Sequence, residues 1–296
     1  METLFFVKHR KQAFVMSMLM MHFLCSFASS LDAQSSGPSQ ETAQPAEEAE
    51  EPAIVRPKDS DSTSQKLINN YLASSGGRKA HKRLLNIEAS GTIVEGKTTR
   101  QFTLVETRDG KRRLTYTWHH LGRDYKVVRA FDGLVAWEQQ QLPKVLPHVI
   151  LNGQEAQHFK CQRWLIQPFG LPLSPKYVFQ YQSTARVNGR PTYLVVGYGP
   201  KNERSWFYFD KETSLLIRYG GLGVIGNVKE YMDYRATHFE YVDGVLLPTE
   251  LSLLVEDSAF GKITFESIKT NQKIDSGIFN QPPDIVPLLR SKHTER

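Results

Sequence analysis

Leu67, Ile68, Tyr71 and Leu72 recur at helical spacing behind Ser64, an N-cap residue type. They predict a helix that Gly76-Gly77 ends, with a second short helix over residues 78–85. From Ile87 the period changes to two. Residues 87–94, 99–107, 113–119, 125–131 and 134–140 read as strands, with turn signals at Glu95-Gly96, Arg108-Asp109-Gly110-Lys111 and Asp132-Gly133. Within 113–119, Leu114, Tyr116 and Trp118 fall on one face, and Arg113, Thr115 and Thr117 on the other. The alternation then stops. Residues 152–165 predict a helix capped by Asn152, with Phe159, Trp164 and Leu165 apolar, and a proline-rich connection follows over 167–175. Strands resume at 177–187, 192–198, 204–209, 215–219, 229–241, 246–256 and 262–270, with turns at Asn188-Gly189, 210–214 and Asp243-Gly244. About a dozen strands with two helical interruptions give an α+β domain dominated by antiparallel sheet.

The first residues follow a different pattern. Lys8, Arg10 and Lys11 precede an apolar run over 13–27, broken by Ser17 and His22, and then come Ala28, Ser29, Ser30 and Ala33. Charge, apolar core and small residues in that order read as a secretory signal peptide, cleaved near Ser30 or Ala33. The run is shorter than the roughly 20 residues that span a bilayer as a helix; an uncleaved anchor is the rival reading. Cys25 follows Leu24, where a lipid-attachment motif wants a small residue, so Cys25 is expected to leave with the peptide. Cys161 then remains as a lone cysteine, which cannot form an internal disulfide. It is either a buried thiol or a reactive one flanked by Lys160 and Arg163.

Residues 34–63 hold Ser, Gln, Ala, Pro and Glu and almost no large apolar residue, the composition of a disordered acidic linker. Three segments result: a signal peptide over 1–33, the linker over 34–63, and one domain over 64–296. The whole chain has 37 Lys+Arg and 31 Asp+Glu, a net charge of +6. Residues 64–296 alone hold 32 basic and 22 acidic residues, a net of +10. Such a domain suits an anionic partner, such as a membrane surface or an acidic glycolipid, and equally a merely solvated basic surface. Export argues against nucleic acid.

No catalytic constellation stands out: there is no HExxH, P-loop, GxSxG or paired CxxC. His119 and His120 adjoin on a strand and would point to opposite faces, a poor metal pair. His148 and His158 lack a recognisable ligand set. Asp132, Asp210 and Asp243 sit at turns, where Asp bonds its own backbone. Gly220-Gly221-Leu222-Gly223 and Gly226 read as a bent loop at the sheet rim. No enzyme activity, metal or cofactor is expected.

The order of hairpins has a counterpart. The helix with Gly76-Gly77, the strand from Ile87 to Thr92, Phe131-Asp132-Gly133 leading to Ala136-Trp137, and Asn188-Gly189-Arg190-Pro191 come first. Phe209-Asp210 ahead of Leu215-Leu216-Ile217-Arg218, and Asp243-Gly244-Val245-Leu246-Leu247-Pro248, complete the series. Together, over residues 64–285, they resemble the LolA-like group of bacterial envelope proteins. The resemblance implies a strongly curved, incomplete β-barrel, a half-barrel, with helices plugging its concave side and an apolar space between. The group includes periplasmic lipoprotein chaperones, outer-membrane receptors and stress sensors. It implies a periplasmic, non-enzymatic carrier or receptor for a lipid-like or lipoprotein acyl ligand. The alternative is an envelope sensor or protein-interaction module without a lipid ligand. Partners would be a lipid or acylated lipoprotein, an anionic membrane surface, or another envelope protein.

Strand parity then supplies candidates for the cavity lining: Phe102, Leu104, Leu114, Tyr116, Trp118, Phe179, Tyr181, Trp206 and Tyr208. Lid candidates are Leu67, Tyr71, Phe159, Trp164 and Leu165. An ordinary core would use the same side chains, because parity identifies a face and not a gap.

Overall fold

The alternating runs pair with their neighbours in sequence. A computed structural model describes residues 56–142, 144–161, 163–169, 177–199, 204–225 and 228–283, without the side chains of residues 154, 161, 222–225 and 228–230. Helices α1 (Ser62–Ser74) and α2 (Gly77–Arg83) lead into strands β1 (Asn86–Glu95), β2 (Thr98–Thr107), β3 (Arg112–His120), β4 (Arg123–Phe131), β5 (Ala136–Gln141) and β6 (Val149–Ile150). Helix α3 (Gly153–Cys161) follows, then β7 (Val178–Val187), β8 (Arg190–Tyr198), β9 (Arg204–Asp210), β10 (Leu216–Ile225), β11 (Val228–Val242), β12 (Val245–Val255) and β13 (Ser258–Thr270). A 3-10 turn, Ser276–Phe279, ends the series.

Among the described residues, thirteen strands form one antiparallel sheet in the order β6-β5-β4-β3-β2-β1-β13-β12-β11-β10-β9-β8-β7. The chain runs outward from β1 to one edge, β6, resumes at the other edge, β7, and returns to pair β13 with β1. The sheet is therefore open. The chain divides into two units: Arg56–Gly223 with Glu230–Arg296, and Met1–Val55 with Val224–Lys229. The first holds the helices and nearly all of the sheet. The second includes the tip of the β10–β11 hairpin, and its residues 1–55 lie outside the described residues.

The sheet of the first unit is curved, and one residue shows it. The indole of Trp164 meets the ring of Phe102 on β2 at 5.4 Å, while its carbonyl accepts a hydrogen bond from the Tyr219 hydroxyl on β10 at 2.5 Å. Those strands are five steps apart in the sheet order. In a flat sheet that is about 24 Å, at roughly 4.8 Å per step. Only a sheet curled around Trp164 brings both into contact with it. The fold is thus the curved antiparallel half-barrel that the hairpin order implies.

Local chemistry accounts for most boundaries. Two-residue hairpins need left-handed backbone, and Asn188-Gly189 (φ 50° and 78°) and Asp243-Gly244 (φ 48° and 80°) provide it. Glu256-Asp257 adopts the same conformation without glycine (φ 48° and 63°). That glycine-free turn explains why β13 begins at Ser258 and not at residue 262. The Gly220-Gly221 pair is not at a loop: it lies inside β10. A Cβ on Gly220 would come within 2.3 Å of the Met232 carbonyl oxygen, so close packing against β11 requires the glycine. Gly226 lies outside the described residues.

The helix begins earlier than Ser64 predicts. Asp61 is its N-cap: Oδ1 accepts from the Ser64 N–H at 2.8 Å, and Oδ2 accepts from Tyr181 N–H on β7 at 2.6 Å. One carboxylate therefore ties the start of α1 to the sheet edge. Burial pushes this carboxyl upward, but the Ser64 and Tyr181 hydrogen bonds outweigh it and hold Asp61 below its ordinary value. Ordered structure thus reaches back into the last part of the expected linker. The remainder of the linker, residues 34–55, and the signal peptide lie outside the described residues.

Candidate functional site: the covered concave face

The predicted helix over 152–165 stops at Cys161, and Trp164 and Leu165 belong to an irregular segment, 163–169. This segment lies across the concave face. Its backbone cannot bond within a helix or to a strand, so it bonds to side chains. The N–H groups of Trp164, Leu165 and Ile166 all donate to the carboxylate of Glu106 on β2, at 3.0, 3.2 and 3.0 Å. Arg163 donates to the Thr107 carbonyl at 3.1 Å. Glu106 is wholly buried, and its Oε1 is 3.3 Å from Nε of the buried Arg112 on β3. The Arg112 guanidinium lies over the rings of Phe159 in α3, at 5.0 Å, and Trp164, at 5.3 Å.

Two aromatic nests hold the segment's side chains. Trp164 packs edge-on against Phe102, Phe265 and Tyr234. Phe169 packs against Phe207, Tyr71, Phe179 and Phe209, with centroids 4.8 to 5.6 Å apart. Such ring pairs add to simple area burial. Burial pushes the Tyr71 hydroxyl up to about 12 and raises Tyr219 and Tyr234 as well, so the phenols on this face stay neutral. A cavity of about 20 Å³ lies beside the segment, lined by Tyr71, His81, Leu165, Phe169 and Leu247 among others. That is close to the space of one water molecule. His81 reaches the Ser75 hydroxyl at 2.8 Å, and burial lowers its pKa.

The predicted residues fall into three groups. Phe102, Leu104, Leu114 and Phe179 are buried on the concave side, as are the lid candidates Leu67, Tyr71, Phe159, Trp164 and Leu165. Tyr116, cross-strand from Phe102, and Trp118 are half-buried; Trp118 is stacked on Tyr125 at 5.3 Å with Arg100 above it at 5.5 Å. Tyr181 is half-buried near the β7 edge, against Tyr193. Trp206 and Tyr208 correct the expectation, for they point to the convex side. There Trp206 Nε1 donates to Asp233, and Arg218 lies 5.1 Å from the Tyr208 ring centre. Residues 206–209 are aromatic at both parities, so alternation alone could not choose between Trp206-Tyr208 and the inward pair Phe207-Phe209.

The polar candidates have local partners. Asp132 Oδ1 accepts from the N–H groups of Leu134 and Val135. Asp210 accepts from Glu212, Thr213 and Arg190, and Asp243 from the Thr270 hydroxyl. His119 Nδ1 sits 2.8 Å from Asp124, both exposed, and the His148 ring meets Trp137 edge-on. The Cys161 side chain lies outside the described residues. Sequence reasoning missed Glu106, Arg112 and Phe169. The first two left a signal: Glu106 continues the parity of Phe102 and Leu104, and Arg112 that of Leu114 and Tyr116. A charged residue at an apolar parity marks a buried polar role. Phe169 had no such signal, being embedded in a proline-rich connection.

No family model matches the chain, and no curated protein matches it. Among solved structures, the chain is similar to a LolA superfamily protein from Nitrosomonas europaea, at 11% identity over 73% of this chain and 97% of that one, with a TM-score of 0.48. It is similar to an outer membrane lipoprotein-sorting protein domain from Vibrio parahaemolyticus, at 10% identity over 74% and 96%, with a TM-score of 0.45. It is also similar to a DUF1329 family protein from Desulfovibrio piger, at 13% identity over 73% and 97%, with a TM-score of 0.42.

Proposed function

We propose that this protein is an exported, non-enzymatic binding module of the bacterial periplasm, and that its concave face takes a lipid-like ligand bearing acyl chains. One observation carries the reading: an apolar concave face is covered by a short irregular segment, 163–169, that inserts two aromatic side chains and gives three of its backbone N–H groups to one carboxylate. Such a cover can leave as a unit without unzipping a strand. The signal-peptide pattern supports export.

Magnitudes bound the ligand. Trp164 and Phe169 each bury about 150–250 Å², so withdrawing both loses roughly 8–12 kcal/mol at about 25 cal/mol per Å². A buried methylene returns about 0.8 kcal/mol. A ligand therefore needs at least about a dozen methylenes to offset these two side chains alone, which favours long or multiple acyl chains over small apolar molecules. The test is mass spectrometry of lipid extracted from protein purified from its native envelope, paired with displacement of a fluorescent fatty-acid probe by lysophospholipids of increasing chain length. Co-purified lipid and affinity that climbs with chain length are expected. Protein free of lipid that takes up no probe would overturn the reading.

A second reading, a sensor or interaction module without a lipid ligand, is favoured by the small size of the cavity beside the segment, which has room for about one water. A stable protein partner captured by crosslinking in the envelope, with no lipid bound, would favour it.

A further inference from the structure

Helix α2 gathers cations on one face. Arg78, Lys79, Lys82 and Arg83 are all exposed, and at about 100° per residue they fall within an arc of about 140°. The helix has no acidic residue. Its other face turns inward: Ala80 is buried beside Gly244 of the β11–β12 turn, and His81 lines the small cavity next to Leu165 and Phe169. Local physics disfavours this arrangement. Arg78 and Lys82, and likewise Lys79 and Arg83, are like charges at i,i+4, which repel. Arg78 and Lys79 also sit in the first turn, where the helix dipole disfavours cations; only Lys82 and Arg83 gain from the C-terminal end. Arg78 donates to Asn69, an uncharged partner. Four cations held together against repulsion point to an anion from outside the domain.

The neighbours of α2 narrow the choice of anion. The helix lies at the end of the half-barrel where β1 begins, β2 turns into β3 and β4 turns into β5. Leu85 follows the helix and is 57% exposed. Arg108 in the β2–β3 turn donates its N–H to the Leu85 carbonyl at 2.8 Å and its guanidinium to the Lys82 carbonyl. Lys111 of the same turn lies beside Gly133 of the β4–β5 turn, where Leu134 is 86% exposed. Exposed Lys273 follows Asn271, whose Oδ1 accepts from Leu85 N–H at 2.8 Å. The acidic groups in these turns are engaged: Asp109 is 3.9 Å from Lys111, and Asp132 accepts from the N–H groups of its own turn. This end of the domain thus presents basic side chains with two protruding leucines beside them. A soluble polyanion satisfies the cations and leaves the leucines in water. An anionic bilayer satisfies both, since phosphates line its surface and apolar side chains enter the boundary just beneath.

We propose that this end of the domain docks on anionic phospholipid bilayers, with the α2 cations at the phosphates and Leu85 and Leu134 in the interface. The proposal rests on the protein being exported to the envelope, and not on any ligand of the concave face. Docking brings the membrane against α2, whose inner face borders the cavity beside the 163–169 segment. The test is flotation of the chain, freed of residues 1–33, with vesicles of phosphatidylcholine alone and of phosphatidylcholine mixed with phosphatidylglycerol. Binding to the mixed vesicles only, weakening as salt rises, is expected. A basic residue near such a surface contributes roughly fivefold in partition, so Arg78→Gln, Lys79→Gln, Lys82→Gln and Arg83→Gln together should weaken binding at least about thirtyfold. All four side chains are exposed, so this variant should fold, with a thermal midpoint no lower than the parent's. Arg78→Lys with Arg83→Lys should leave binding unchanged, because a bilayer reads charge and not a fork of donors. Leu85→Ser with Leu134→Ser should weaken it severalfold. Equal flotation of the parent and the folded Gln variant overturns the proposal. So does equal binding to both kinds of vesicle, or loss of binding when Lys replaces Arg, which would make a shaped protein partner the occupant. Uptake of the fluorescent fatty-acid probe, measured without vesicles, keeps the two readings apart. Lost flotation with uptake intact sinks the docking surface alone, and flotation without uptake sinks the concave-face ligand alone.

Discussion

Glu106 and Arg112 face one another across β2 and β3, both buried, with Oε1 of one 3.3 Å from Nε of the other. The carboxylate has two tasks there, since it also accepts the backbone N–H groups of Trp164, Leu165 and Ile166. Without that anion, the segment would carry three buried donors with nothing to receive them.

Removing one member of this pair is therefore expected to cost more than removing both. Glu106→Ala leaves a buried guanidinium and three backbone donors uncompensated, and should lower unfolding free energy by about 3–5 kcal/mol. Glu106→Leu combined with Arg112→Met should recover part of the loss. Urea titrations of the two variants check this. A double variant no more stable than the single one would show that the backbone donors, and not the ion pair, dominate.

The aromatic plugs predict opposite effects on stability and uptake. Phe169→Ala should destabilise by about 3–5 kcal/mol, the usual range for a buried phenylalanine. It also leaves space among Tyr71, Phe179, Phe207 and Phe209 that a chain of methylenes can fill. Binding of a fluorescent fatty-acid probe should therefore tighten in Phe169→Ala, and the ligand should restore part of the lost thermal stability. A weaker plug with unchanged probe affinity would separate the packing of this site from its proposed use.

Which of these features sequence could announce depends on the kind of physics behind each. The strands were legible because one buried face imposes a period of two, and the hairpins at Asn188-Gly189 and Asp243-Gly244 because left-handed backbone selects those residues. The Glu256-Asp257 turn was illegible, because two acidic residues there adopt the same φ without the usual glycine. The helix over 152–165 was overextended: Trp164 and Leu165 continue the apolar spacing, but their N–H groups are claimed by Glu106, some sixty positions away. Tertiary hydrogen bonds of that range leave no trace in the residues of the segment itself. The concave face was half legible, since parity located Phe102, Leu104 and Leu114 but failed on β9, where four successive aromatic residues occupy both faces.

Asp61 joins two elements, so its loss should be felt in both. Asp61→Ala removes the cap of α1 and the acceptor for Tyr181 N–H on β7. A lost cap alone costs roughly 1 kcal/mol. Amide exchange should quicken both in the first turn of α1 and at Tyr181, whereas a capping role alone would change only the helix. Asp61→Asn keeps one acceptor oxygen and should show the smaller effect.

His81 should give the fold a pH dependence of definite sign. Burial disfavours its charged form more than the Ser75 contact favours it, so its pKa in the folded chain lies below the ordinary 6.5. As pH falls through about 6.5 the unfolded chain takes up a proton first, and stability drops until the folded-state pKa is passed. Asp61 and Asp210, both held low, contribute in the other window: their stabilisation is present above the ordinary value of 3.8 and is lost below it. The two windows separate cleanly by mutation. His81→Gln should flatten the loss of stability between pH 7.5 and 5.5 and leave the decline below pH 4 unchanged, as read from urea midpoints across that range. A wild-type midpoint that is level from pH 7.5 to 5.5 would show that the His81 charge is accommodated without cost.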